Sequence, residues 1–138
     1  MEFRARRRID AAPGDVWSSL LDVGSWPDWD TGVIKVDGTA RDGGKIKVFS
    51  EVSPGRAFPV RVRLDRDRRV MTWTGGMPFG LFTGVRTFRV AAEGAGSELD
   101  VHEQYTGPLV GPMAKRMPDL QPSFDRFADG LKAQCERG

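Results

Sequence analysis

Residues 81–107 read LFTGVRTFRVAAEGAGSELDVHEQYTG, two alternating runs on either side of Gly94-Ala95-Gly96. Leu99, Val101, Glu103 and Tyr105 share one side of the second run. Arg86, Phe88 and Val90 share one side of the first, so both show the period of two expected of a half-buried strand. The glycine-rich centre marks a turn, and the two runs are predicted to form an antiparallel hairpin. With residue 92 facing 97, facing indices add to 189, which places Arg86 opposite Glu103. A one-residue slip would turn an apolar face into water, whereas a two-residue shift puts Arg86 beside Tyr105 and preserves both faces.

Working outward, further short runs occupy 33–38, 45–52, 58–66 and 69–74, separated by Asp42-Gly43-Gly44, Pro54-Gly55 and Gly75-Gly76. Together with 81–92 and 97–106 they make six strands in series, which suggests an antiparallel meander. Residues 2–11 supply a seventh, with Phe3, Ala5 and Ile9 alternating against Glu2, Arg4, Arg6, Arg8 and Asp10, and Arg7 interrupting the apolar face. Pro13 suits the first turn of a helix over 13–21, whose stripe is Val16, Trp17, Leu20 and Leu21. Gly24–Asp30 is too broken for a long element, yet it holds Trp26 and Trp29. Toward the C-terminus, Met113, Met117, Leu120, Phe124, Phe127 and Leu131 follow one another at intervals of 4, 3, 4, 3 and 4, one helical face. Pro118 and Pro122 interrupt it, so a short turn from about 112, a break near Pro118 and a longer helix to about 135 are expected. The predicted class is α+β: a curved seven-stranded antiparallel sheet with one long C-terminal helix laid across it, in a single domain over 1–138. Its interior is either filled by side chains or hollow, and a Met/Phe stripe serves as ordinary core or as the lining of an adaptable cavity.

The 138 residues are 39% hydrophobic and 29% charged, ordinary for a globular domain. No apolar stretch approaches the roughly 20 residues of a helical span, so no integral membrane association is expected. The Met1 end, Glu-Phe-Arg-Ala-Arg-Arg-Arg, has no apolar segment behind it, and a cytoplasmic location is the expectation. Twenty-one basic against nineteen acidic residues leave a charge of +2. The arginines at 4, 6, 7 and 8 and at 61, 63, 66, 68 and 69 mostly alternate with apolar residues, as on a solvated strand face, and nucleic acid is not an expected partner. Cys135 is the sole cysteine, which excludes an internal disulfide. There is no Gly-x-Ser-x-Gly elbow, no glycine-rich phosphate loop and no paired histidines, and neither a metal nor a cofactor is expected.

Five segments, in order, carry a resemblance: Ile9-Asp10-Ala11-Ala12-Pro13-Gly14-Asp15-Val16-Trp17, Trp26-Pro27-Asp28-Trp29, Thr72-Trp73-Thr74-Gly75, Gly84-Val85-Arg86-Thr87-Phe88, and Glu103-Gln104-Tyr105-Thr106-Gly107 before the final amphipathic helix. With them the chain resembles the START-like (SRPBCC) superfamily, polyketide cyclase/dehydrase branch, over nearly its whole length. The resemblance implies a helix-grip fold enclosing a pocket for a hydrophobic or aromatic small molecule. It leaves the chemistry open, because the superfamily includes aromatase/cyclases, hormone and lipid binders and chaperone activators. This branch often has His third in a Gly-x-His-x-Phe pattern; Arg86 stands there instead. The single histidine, His102, falls on the opposite face from Glu103 and reads as a surface residue.

Arg86 and Glu103 are therefore the expected polar centre of an apolar interior, either a pair for mutual neutralisation, a rim pair in water, or a ligand site. In the ligand reading Arg86 receives a carboxylate, phenolate or carbonyl, Glu103 orients it and Tyr105 donates a hydrogen bond. Trp29, Trp73, Phe88, Met113, Met117, Leu120 and Phe124 complete the expected lining of a cavity of roughly 300 to 1,000 Å³ between helix and sheet. Trp26 and Trp29 serve equally well to pin a loop on the core. Binding of a hydrophobic small molecule is the leading function. The alternatives are a cyclase with Glu103 and Arg86 as acid/base and oxyanion groups, and a ligand-free interaction module such as a chaperone regulator. The apolar turn Met77-Pro78-Phe79-Gly80-Leu81-Phe82 points to a pocket mouth or to a homodimer contact.

Overall fold

Alternation and turn residues produce seven strands: β1 (Glu2–Ile9), β2 (Val33–Asp37), β3 (Lys45–Ser50), β4 (Phe58–Asp65), β5 (Val70–Gly76), β6 (Thr83–Glu93) and β7 (Gly96–Thr106). Helix α1 (Pro13–Leu21) follows β1, and α2 (Val110–Ala114) and α3 (Gln121–Glu136) follow β7. The computed structural model describes residues 1–51, 53 and 55–137. Val52, at the end of the expected 45–52 run, Pro54 of the Pro54-Gly55 turn, and Gly138 lie outside the described residues.

The strands form one antiparallel sheet in the order β1-β7-β6-β5-β4-β3-β2, so β2 to β7 meander and β1 returns to pair with β7. The sheet curls round α3, a helix-grip architecture. The central hairpin closes through Gly94-Ala95, with Gly94 at φ +57°, and its register pairs Ala92 with Ser97 and Arg86 with Glu103. The two-residue shift does not occur.

Local chemistry accounts for the helix ends. The Ala12 carbonyl accepts from the amides of Asp15 and Val16, and Pro13 opens α1 where its missing N–H costs nothing. Trp26 lies in a 3-10 turn (Val23–Asp28), an element that tolerates Pro27. Pro122 falls in the first turn of α3, so the proline that interrupted the periodicity is at its helix start. The six-residue stripe is consequently divided. Phe124, Phe127 and Leu131 are buried on α3, while Met113, Met117 and Leu120 precede it and are half-buried. Arg7, the break in the first strand's apolar face, reaches α3 instead, its Nε donating to Asp129 Oδ1 at 2.6 Å.

Candidate functional site

The register aligns the inward side chains in rows across the curled sheet. One row, from β5 through β6 and β7 to β1, is Met71, Phe88, Val101 and Ala5, all buried. The next is Trp73, Arg86, Glu103 and Phe3, and the one beyond is Gly75, Gly84 and Tyr105. The charged pair thus lies where the solid apolar rows end and a row nearly without side chains begins. Tyr105 occupies that gap, lying across Gly84, where an added Cβ would meet Tyr105 Cε1 at 3.0 Å.

Arg86 Nη2 donates to Glu103 Oε2 at 2.8 Å, and the Tyr105 hydroxyl donates to the same oxygen at 2.9 Å. Glu103 and Tyr105 are each 9% exposed, whereas the Arg86 side chain keeps 31% of its surface in water. A buried carboxylate with a charged donor and a neutral one is well compensated. Burial, together with the Glu103 carboxylate, pushes the Tyr105 phenol well above its ordinary value and keeps it a hydrogen-bond donor. The guanidinium carbon of Arg86 lies 4.5 Å from the centre of the Phe124 ring, a cation–π contact that fixes the group beneath α3. Phe3 and Phe82 enclose Tyr105 from two sides, at ring separations of 6.2 and 5.2 Å. Neither was singled out from the sequence. Phe3 reaches the site only because β1 pairs with β7, its partner Glu103 lying far along the chain, and Phe82 was visible only as part of an apolar turn.

The remaining expected lining divides between four places. Phe124 is at the pair, and Met113, Met117 and Leu120 sit half-buried in the segment leading into α3. Trp73 is Arg86's cross-strand neighbour, but its ring stacks on Trp26 at 5.2 Å and meets Phe88 at 5.0 Å. Phe127 closes this cluster, 4.8 Å from Trp26 and 5.7 Å from Phe88. Trp73 and Phe88 therefore pack as aromatic core in this structure. Trp29 is not brought to the pair. It flanks α3 about a turn and a half beyond Phe124, beside Gly130, where a Cβ would lie only 2.0 Å from the Asp30 carbonyl. Trp29 lines a surface concavity of about 330 Å³ with Asp28, Asp30 and Asp129. The indole N–H groups of Trp26 and Trp73 are buried without an acceptor among the described residues, an arrangement that costs free energy. His102 is on the outer face as expected, its Nε2 2.6 Å from Glu2 Oε2. Among the described residues no group of three or more His, Cys, Asp or Glu is placed to hold a metal, and no helix is long and apolar enough to cross a membrane.

A curled antiparallel sheet gripping a C-terminal helix, with a polar group set into its concave face, defines the START-like class. The chain belongs to the polyketide cyclase/dehydrase and lipid transport family, which it matches over residues 1–136. Its fold is shared by an aromatase/cyclase from a Streptomyces species (16% identity, 99% and 94% of the two chains, TM-score 0.76). A START superfamily protein of Mycobacterium smegmatis is similar over 99% and 97% of the chains, with 16% identity and a TM-score of 0.73. A protein of Thermus thermophilus shares 21% identity over 98% and 97%, with a TM-score of 0.74. No curated protein matches the chain.

Proposed function

We propose that the chain binds a hydrophobic small molecule whose oxygen acceptor, a carbonyl, carboxylate or phenolate, is received by Arg86. The observation that carries this reading is the placement of the Arg86–Glu103–Tyr105 group on the concave face, at the boundary between the solid core and the glycine row. Arg86 uses one Nη on Glu103 and keeps further N–H donors beside the half-exposed edge. The half-buried Leu120, which packs on the core one turn before Phe124, and Met113 and Met117 upstream of it supply adaptable apolar surface, so a ligand enters by displacing side chains at this end while the Trp26–Phe88–Phe127 cluster stays packed. Native mass spectrometry of freshly purified protein tests this. A retained small molecule, lost on Arg86→Met, is the expected result, and a bare chain that also fails to take up aromatic carboxylates would overturn it.

A second reading is favoured by one detail: both recorded donors to Glu103 use Oε2, leaving Oε1 without a donor among the described residues. A carboxylate oxygen free beside a guanidinium is the arrangement an aldol-type cyclisation needs, with Glu103 as base and Arg86 stabilising the enolate oxygen. Under this reading Glu103→Gln lowers the rate by about 10² to 10⁴. Under simple binding it lowers affinity only modestly.

A further inference from the structure

The outer face of the sheet holds a second polar assembly that has no part in the Arg86–Glu103–Tyr105 group. Two rows cross β1, β7 and β6 there: Arg4, His102 and Thr87, and next to it Arg6, Asp100 and Arg89. These six side chains surround a concavity of about 230 Å³. Asp100 lies at its base with 16% of its side chain exposed; Arg6 Nε donates to its Oδ2 at 3.3 Å, while Arg4 Nε lies 3.3 Å from Oδ1 as an ion pair without a hydrogen bond, so Oδ1 is buried with no donor among the described residues. That arrangement leaves the Nη groups of both arginines unused by Asp100. Arg89 has no ion pair among the described residues, and the Thr87 hydroxyl lies in the same concavity. Three guanidiniums face the Asp100 carboxylate within the cluster and the Glu2 carboxylate at its rim, which leaves one positive charge uncompensated. His102 is engaged by Glu2 at the rim.

We infer that this cluster is a subsite for a phosphate-type oxyanion, either free phosphate or the phosphate of a monoester. Forked guanidinium donors match the geometry of a tetrahedral oxyanion, and the positive surplus favours an anion over a neutral guest. The neighbouring rows limit the site to one such group. Glu2 stands on one side and Glu98 on the other, and Arg8 is taken up by Asp10, so the positive field does not extend along the strands as an extended polyanion requires.

Titration of the 15N-labelled chain with inorganic phosphate, at constant ionic strength set with chloride, tests the inference. Saturable shifts confined to the amides of residues 4–6, 87–89 and 100–102 are expected. Arg89→Gln should weaken the affinity about tenfold, the worth of a charge-assisted contact. Lys47→Gln, an equal charge change on β3 of the same sheet, should leave it within about twofold. Because Arg89 and Lys47 are both exposed, neither variant endangers the fold. Non-saturating shifts, or equal losses from the two substitutions, mean general charge screening and overturn the site. Sedimentation with phosphatidylcholine vesicles containing phosphatidic acid separates the sources. Arg89-dependent co-sedimentation identifies a lipid headgroup, and free phosphate binding without it identifies a soluble phosphate.

Discussion

The two ends of the gripped interior are built on opposite principles. At one end Phe88, Leu99, Val101, Leu131 and Ile9 are almost wholly excluded from water, and Trp26, Trp73, Phe88 and Phe127 meet ring against ring. At the other end Arg86 is partly solvated, Met113 and Met117 are half-buried, and the β5–β6 tip exposes Phe79 at 97% with φ +62°. The boundary runs through a single row of the sheet, between the cross-strand neighbours Trp73 and Arg86. The difference teaches that this fold separates a rigid part from a looser one within a single core: one end supplies the packing energy, and the other is less tightly filled, which is where the proposed ligand would be received.

The comparison is sharpened first at the solid end. Phe88→Ala should cost roughly 3 to 5 kcal/mol, because neighbouring rings cannot collapse into the space, and urea unfolding should show it as a lowered midpoint at unchanged slope. A loss under about 1 kcal/mol would mean the aromatic cluster is loosely packed and the contrast is false. At the boundary, Arg86→Ala should cost about 3 kcal/mol, the low end for a buried pair, since the guanidinium retains a third of its exposure. Arg86→Met combined with Glu103→Leu should recover most of this loss, because no charge is then left unpaired. An unchanged midpoint for the single variant would place both groups in water.

A smaller effect is expected at alkaline pH. Tyr105 is the sole tyrosine, and its phenol is raised above the ordinary 10.0 chiefly by burial. The folded chain therefore holds a proton that the unfolded chain releases. The stability this contributes is complete below about pH 10 and is lost as pH climbs from the unfolded toward the folded value. Phenolate absorbance should appear together with unfolding, and phenolate formed while the fold persists would show Tyr105 open to solvent. The smallest effect belongs to the tip. Phe79→Gly should stabilise by about 0.5 to 1 kcal/mol, since Phe79 buries nothing and holds a left-handed backbone that glycine adopts freely. Any clear loss in thermal melting would show that Phe79 packs on the molecule.

How much of this was legible in advance varies by kind of contact. The Arg86–Glu103 pair followed from counting back from a tight turn, because strand pairing in a hairpin is local and a slip exposes apolar side chains. The division of the Met/Phe stripe was legible in Pro118 and Pro122. The surroundings of the pair were less so. Trp73 and Phe88 alternate correctly toward the interior, but alternation gives the side of the sheet and not whether the space opposite is filled. Trp26 fills it from a 3-10 turn far away in sequence. Trp29 looked equivalent to Trp26, yet the approach of Gly130 to the Asp30 carbonyl holds it beyond the pair.

By itself, the sequence determined the order of elements and the inward and outward faces of each strand, which rest on short-range periodicity and turn chemistry; it narrowed the hairpin register to two face-preserving choices, and its motifs carried the family resemblance. Only the tertiary structure decided that β1 closes on β7, bringing Phe3 to Glu103 and assembling Arg4, Arg6, Asp100 and Arg89 on the outer face. It alone decided which aromatic rings become core and which border the site. Those outcomes depend on distant segments competing for the same volume, and that competition leaves no periodic trace in the chain.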